Sequence, residues 1–118
     1  MKVTFFETLL FTSRVRDYLD DDEYRQLQRH MLDTPDCGAV MPRTGGFRKL
    51  RWGDTRRCKG KRGGLRVIYY WLSPNAQIWM FAIYDKDEME SLTSDQEKAL
   101  AKAITSEIAQ RNPEKVES

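Results

Sequence analysis

Ten of the chain's twenty Lys and Arg residues lie between positions 43 and 66 of 118: Arg43, Arg48, Lys49, Arg51, Arg56, Arg57, Lys59, Lys61, Arg62 and Arg66. Asp54 is the one carboxylate among them, so this segment carries +9. The chain as a whole carries +2, which leaves −7 for the rest. Charge segregated this sharply suits a face that binds a polyanion. The residue types narrow the chemistry further. A guanidinium holds a phosphate with a planar fork and does not give up its proton, so arginine is a phosphate clamp. A lysine among other cations is a candidate for moving a proton. Lys49 and Arg51 are two apart in Phe47 to Trp52, and a pleated strand puts both on one face. Arg66 opens an apolar run, Leu65 to Leu72, where a buried charge needs a partner. His30 is the single histidine, which rules out a two-histidine acid–base pair.

The elements that must position these residues can be read from periodicity. Val3 to Phe6 predicts a short strand. Phe11, Val15, Tyr18 and Leu19 recur at helical spacing, predicting a helix over about Glu7 to Leu19. Asp20, with Glu23 three residues later, predicts a capping box opening a second helix, whose apolar stripe is Tyr24, Leu27, Met31 and Leu32. Thr34-Pro35 should end it. Thr44-Gly45-Gly46 predicts a turn. Phe47 to Trp52 alternates, with Phe47, Lys49 and Arg51 on one face and Arg48, Leu50 and Trp52 on the other. Leu65 to Leu72 reads as a central strand buried on both faces. Ser73-Pro74-Asn75 is turn chemistry, and Gln77 to Tyr84 completes a hairpin. Thr93 or Ser94 caps a last helix with Leu100, Ile104 and Ile108 on its buried side. Strand, two helices, a three-strand meander and a helix imply one α+β domain over 1–118, a small antiparallel sheet packed by helices.

Several function classes are disfavoured. Cys37 and Cys58 are too few for a disulfide framework and do not form a Cys-x-x-Cys pair. No ligand cluster has zinc spacing, and no metal or other cofactor is expected. No apolar run approaches the roughly 20 residues that span a bilayer. The first residues make a poor secretory signal, since Glu7 interrupts the apolar stretch and Arg14 and Arg16 follow. The expected location is the cytoplasm, with no membrane partner.

Three stretches, taken together, resemble the RelE/HigB toxins of bacterial type II toxin–antitoxin systems. They are Gly45 to Trp52, Gly60 to Trp71 with its Arg-apolar-apolar-Tyr pattern, and Ile83 to Glu88 followed by Leu92 and a terminal helix. The glycine- and lysine-rich loop is similar to the HigB-like branch. The resemblance implies the RelE fold, a ribosome-dependent endoribonuclease that inhibits translation, and a cognate antitoxin, of helix-turn-helix type, that neutralises it. Such an enzyme lets the 2′-hydroxyl attack the adjacent phosphate without a metal, which needs a base, an acid and positive charge. On this resemblance Lys49, Arg51, Arg66 and Lys86 are catalytic candidates. Asp87 and Thr93 stand where the RelE pattern has an arginine and a tyrosine, so Tyr84 joins the candidates as a replacement. Arg48, Arg56, Arg57, Lys59, Lys61 and Arg62 are expected to grip rRNA or mRNA phosphates, and Tyr69 to stack on a base or sit in the core. The alternatives from other classes are a non-catalytic RNA- or ribosome-binding module and a domain that only binds a partner protein.

Overall fold

A computed structural model describes residues 2–53, 64–86, 93–95, 98–99, 102 and 105–106. Its elements are β1 (Thr4–Glu7), α1 (Leu9–Tyr18), α2 (Asp21–Asp33), β2 (Ala39–Val40), β3 (Phe47–Trp52), β4 (Leu65–Leu72) and β5 (Gln77–Asp85), with a 3₁₀ turn at Ser73–Asn75. Both helices start where a side chain satisfies the free amides of a first turn. Thr8 caps α1, its hydroxyl accepting from the Phe11 amide at 3.1 Å. Asp20 caps α2 with the expected reciprocal box: its carboxylate accepts from the Glu23 amide at 2.8 Å, and the Glu23 carboxylate accepts from the Asp20 amide at 2.9 Å. Thr34, held in non-helical geometry ahead of Pro35, ends α2.

The five strands form one sheet in the order β1-β5-β4-β3-β2. The expected meander is present: β3 pairs antiparallel with β4, and β4 with β5. The sheet is not wholly antiparallel, however. β1 lies parallel to β5, with Phe6 beside Trp79 in register and their rings stacked at 4.5 Å. Both helices intervene between β1 and the meander, which gives the chain the long crossover that a parallel pair requires. A two-residue strand, β2, adds to the edge of β3, pairing Ala39 with Lys49 and Val40 with Arg48. Two residues are too few to show a period, so this strand left no signal in the sequence.

The helices cover one face of the sheet. Phe11 and Val15 of α1, Leu19 after it, and Leu27 and Met31 of α2 pack against Leu50, Val67, Tyr69, Ile78, Met80 and Ile83. Leu32 was expected in the α2 stripe but is 45% exposed. It lies one residue past Met31, about 100° around the helix, and so turns outward. The second face carries its own apolar cluster, with Phe47, Ile68, Trp79, Phe81 and Tyr84 among its members. Residues 94, 95, 98, 99, 102, 105 and 106 are helical and exposed. The expected buried positions of that helix, Leu100, Ile104 and Ile108, lie outside the described residues.

Glu7, at the end of β1, joins the layers. Its carboxylate accepts from the Thr12 hydroxyl of α1 at 2.7 Å and from the Tyr24 hydroxyl of α2. Two stability outcomes follow. Asp20→Ala should cost about 1 kcal/mol through the lost cap. Phe11→Ala, at a fully buried position, should cost about 3–5 kcal/mol. Urea unfolding curves on the two variants check both, and equal costs would contradict this assignment of cap and core.

Candidate nucleic-acid interface

The site is built by an irregularity in β5. Ile78 and Met80 face the helices, and an uninterrupted strand would send Tyr84 to that side as well. The register slips instead: Tyr69 pairs with Met80 while Ile68 pairs with Ala82, so Phe81 has no partner opposite. This is a β-bulge, one extra residue that resets which side chains face which way. Beyond it Ile83 takes the helix side, and Tyr84 joins the second face. The bulge is fastened to the start of α1. The Thr8 amide donates to the Met80 carbonyl at 3.1 Å, and the Thr8 hydroxyl donates to the Phe81 carbonyl at 2.9 Å.

With the faces set, the pairing of β3, β4 and β5 aligns Arg51 with Arg66 and Arg66 with Tyr84, one row across three strands. Lys49 lies one pleat repeat along β3 on the same face, opposite Ile68. Lys86 follows the end of β5, its amide donating to the Gly64 carbonyl at 2.9 Å, so it stands at the same end of the sheet as Arg66. Arg51 and Lys86 are exposed, and Lys49 and Arg66 are half-buried. The fold therefore gathers all five catalytic candidates at one end of β3–β5. Like charges directly opposite one another in a sheet cost stability, of the order of 0.2–1 kcal/mol. The Arg51–Arg66 register is thus a placement that an anion would repay.

Tyr84 differs from its basic neighbours. Its hydroxyl is buried and has no hydrogen-bond partner among the described residues. Burial pushes the phenol above its ordinary range, and the nearby Arg66 charge pulls it partly back. At neutral pH it is therefore a proton donor and not a base.

Of the two places expected for Tyr69 the structure has the core, and the expectation for Arg48 is corrected. Tyr69 cannot stack on a base: it is fully buried on the helix face, and its hydroxyl accepts from the Gly38 amide and donates to the Pro35 carbonyl, both at 2.8 Å. Arg48 lies on the opposite face from Lys49 and Arg51. Its guanidinium donates to the Gly38 carbonyl at 2.8 Å and the Asp36 carbonyl at 3.2 Å, so it ties down a loop. Arg56, Arg57, Lys59, Lys61 and Arg62 lie outside the described residues. His30 packs its ring 5.3 Å from that of Trp52, on the helix side. Among the described residues no cluster of His, Cys, Asp and Glu is placed to hold a metal, and no helix is long and apolar enough to cross a membrane. Sequence reasoning missed Thr8 and Phe81, which orient Tyr84. The β5 sequence is apolar almost throughout, so no alternation was visible to break.

No family model matches the chain. Among solved structures, the E. coli toxin RelE in the free state, a doubly substituted form, superimposes with a TM-score of 0.54. The match is 13% identical and covers 84% of this chain and 96% of that one. The fold is RelE-like. Two further structures are less similar: the intact E. coli RelBE toxin–antitoxin complex, at TM-score 0.46, 12% identity and 71% and 96% coverage, and RelE bound to an antitoxin RelBc peptide, at 0.47, 14%, and 80% and 90%. At the 13% identity of the free-state match the RelE-like architecture is shared while most side chains are not.

Two measurements test the electrostatics of this RelE-like sheet. Arg51→Thr should leave stability unchanged or raise it, by up to about 1 kcal/mol, because it relieves the facing charges; clear destabilisation would show that Arg51 is structural. The second concerns alkali. Tyr24 and Tyr69 both hold their protons more tightly than the ordinary phenol value of 10.0, chiefly through burial, helped by Glu7 at Tyr24. Their contribution to stability is fully present below pH 10, where folded and unfolded chains are both protonated. It falls as pH rises further, because the unfolded chain releases those protons first. Stability should decline above about pH 10, and less steeply in Tyr24→Phe, as read from denaturation midpoints against pH.

Proposed function

We propose that this chain is the ribonuclease toxin of a toxin–antitoxin pair. It cuts mRNA on the ribosome, inhibits translation, and is held silent by a cognate antitoxin of helix-turn-helix type. One observation carries the reading: Arg51, Arg66 and Tyr84 stand in a single row across three strands, with Lys49 on the same face. The +9 segment and the RelE-like fold, shared with a chain named as a toxin, support it. The glycine- and lysine-rich sequence from Gly53 to Gly64 supports the HigB-like branch.

The arrangement fits transesterification. The 2′-oxygen attacks phosphorus, the bond to the 5′-oxygen breaks, and a cyclic phosphate and a 5′-hydroxyl result. Arg51 and Arg66 clamp the phosphate and balance the charge that builds on it. The protonated Tyr84 hydroxyl, with no acceptor among the described residues, is a donor for the departing oxygen. Removing the 2′-proton then falls to Lys49 or Lys86. Arg56, Arg57, Lys59, Lys61 and Arg62 extend the grip along rRNA or mRNA phosphates.

Expression in bacteria from a tightly controlled promoter, with mapping of new mRNA 5′ ends, tests this reading. Growth arrest with cleavage phased to codons is expected, with both lost in Arg66→Ala and cleavage reduced to a slow residual rate in Lys49→Ala. Arrest without cleavage would instead identify a non-catalytic ribosome-binding module. In solution, RNA affinity should fall steeply with salt. Arg51→Ala should lower the slope of log affinity against log salt by about 1.

A further inference from the structure

The loop between α2 and β2 is fastened to the backbone of Lys49. Gly38 is the point of closest approach. A Cβ at that position would sit 2.9 Å from the Tyr69 ring and 3.1 Å from both the carbonyl carbon and the carbonyl oxygen of Lys49. Only a glycine lets the two backbones pass so closely. Both polar groups of Gly38 are also engaged. Its amide donates to the Tyr69 hydroxyl at 2.8 Å, and its carbonyl accepts from Arg48 at 2.8 Å. The same two side chains reach the residues just before it: Tyr69 donates to the Pro35 carbonyl, and Arg48 to the Asp36 carbonyl. Arg48 and Tyr69 are themselves directly opposite across β3 and β4.

Four hydrogen bonds from one cross-strand pair therefore hold residues 35–38 in place. The residue after that loop is Ala39, the cross-strand partner of Lys49. β2 is only two residues long and exposed, and beyond it the Met41 amide donates to the Phe47 carbonyl at 2.8 Å, so the 35–38 loop is the support on the other side of Ala39. We propose that Tyr69 and Arg48 are positioning residues that fix Lys49 by bracing the 35–38 loop against it. They act from the helix face of the sheet on a residue that does chemistry on the other. This assignment rests on the ribonuclease reading above, with Lys49 as a site residue.

The test uses Tyr69→Phe, which keeps the buried ring and removes only the hydroxyl. Cys37 supplies a readout that needs no RNA: its sulfur lies 3.6 Å from the Tyr69 hydroxyl within the braced loop. In a Cys58→Ser background, thiol labelling of Cys37 should be about tenfold faster in Tyr69→Phe, reflecting the lost hydrogen bonds. RNA cleavage by Tyr69→Phe should show kcat reduced about tenfold with KM unchanged. Introduced into Lys49→Ala, the same substitution should cost nothing further, because its effect passes through Lys49. Arg48→Lys, which keeps the charge and loses the fork, should reproduce the pattern in weaker form. Unchanged labelling would overturn the brace. Faster labelling with undiminished cleavage, or with costs that add to those of Lys49→Ala, would overturn the link to Lys49. A parent protein that cuts no RNA removes the ribonuclease reading and this role with it, and the labelling result still shows whether the brace exists.

Discussion

One unpaired residue, Phe81, decides which side chains share a face. The bulge there is held by Thr8, whose amide and hydroxyl take the Met80 and Phe81 carbonyls while the same hydroxyl caps α1. A single threonine thus starts a helix, anchors it to the sheet and stabilises the irregularity in β5. Were the same sequence to run on as a regular strand, parity would bury Tyr84 under the helices and bring Ile83 to the basic face. The helix-side core and the basic row across β3, β4 and β5 are two products of the same slip in register.

Much of the architecture was legible because its signals are local. The Asp20–Glu23 box, the Thr34-Pro35 stop and the alternation of Phe47 to Trp52 each depend on residues within a few positions of one another, and each is present as expected. What was not legible depends on partners far along the chain. The parallel pairing of β1 with β5 cannot be read from Thr4–Glu7 alone. The bulge falls in Ile78–Tyr84, where apolar side chains on both faces erase the period that would reveal it. The basic pair Lys49 and Arg51 was legible as a shared face, because side-chain alternation needs no partner strand. Its register against Arg66 was not, because that depends on how β3 pairs with β4 across the sheet. Tyr69 stayed open between a base-stacking surface and the core for a related reason: an aromatic in a doubly buried strand gives no sign of which layer it enters, and the Pro35 and Gly38 groups that bind it are more than thirty residues away.

The molecule also divides its arginines by task. Arg48 spends its donors on two backbone carbonyls, whereas Arg51 stands exposed opposite Arg66. Neighbouring positions of one strand thus serve the architecture and the surface in turn, and the pleat keeps the two uses apart. Basic composition alone does not make that distinction; the face of the sheet does.

The pairing of β1 with β5 has a consequence for how the protein comes into being. β1 finds its neighbour only when β5, the last of the described strands, has been made, and the Thr8–Phe81 bond spans 73 residues. Contacts of such separation close late and slowly, since a long loop must be ordered before they form. Until then Thr8 has no carbonyl at Phe81 to hold, and the register that brings Tyr84 beside Arg66 is not fixed. The row of Arg51, Arg66 and Tyr84 is therefore among the last features of the described fold to be set, after both helices and the turns of the meander can already form.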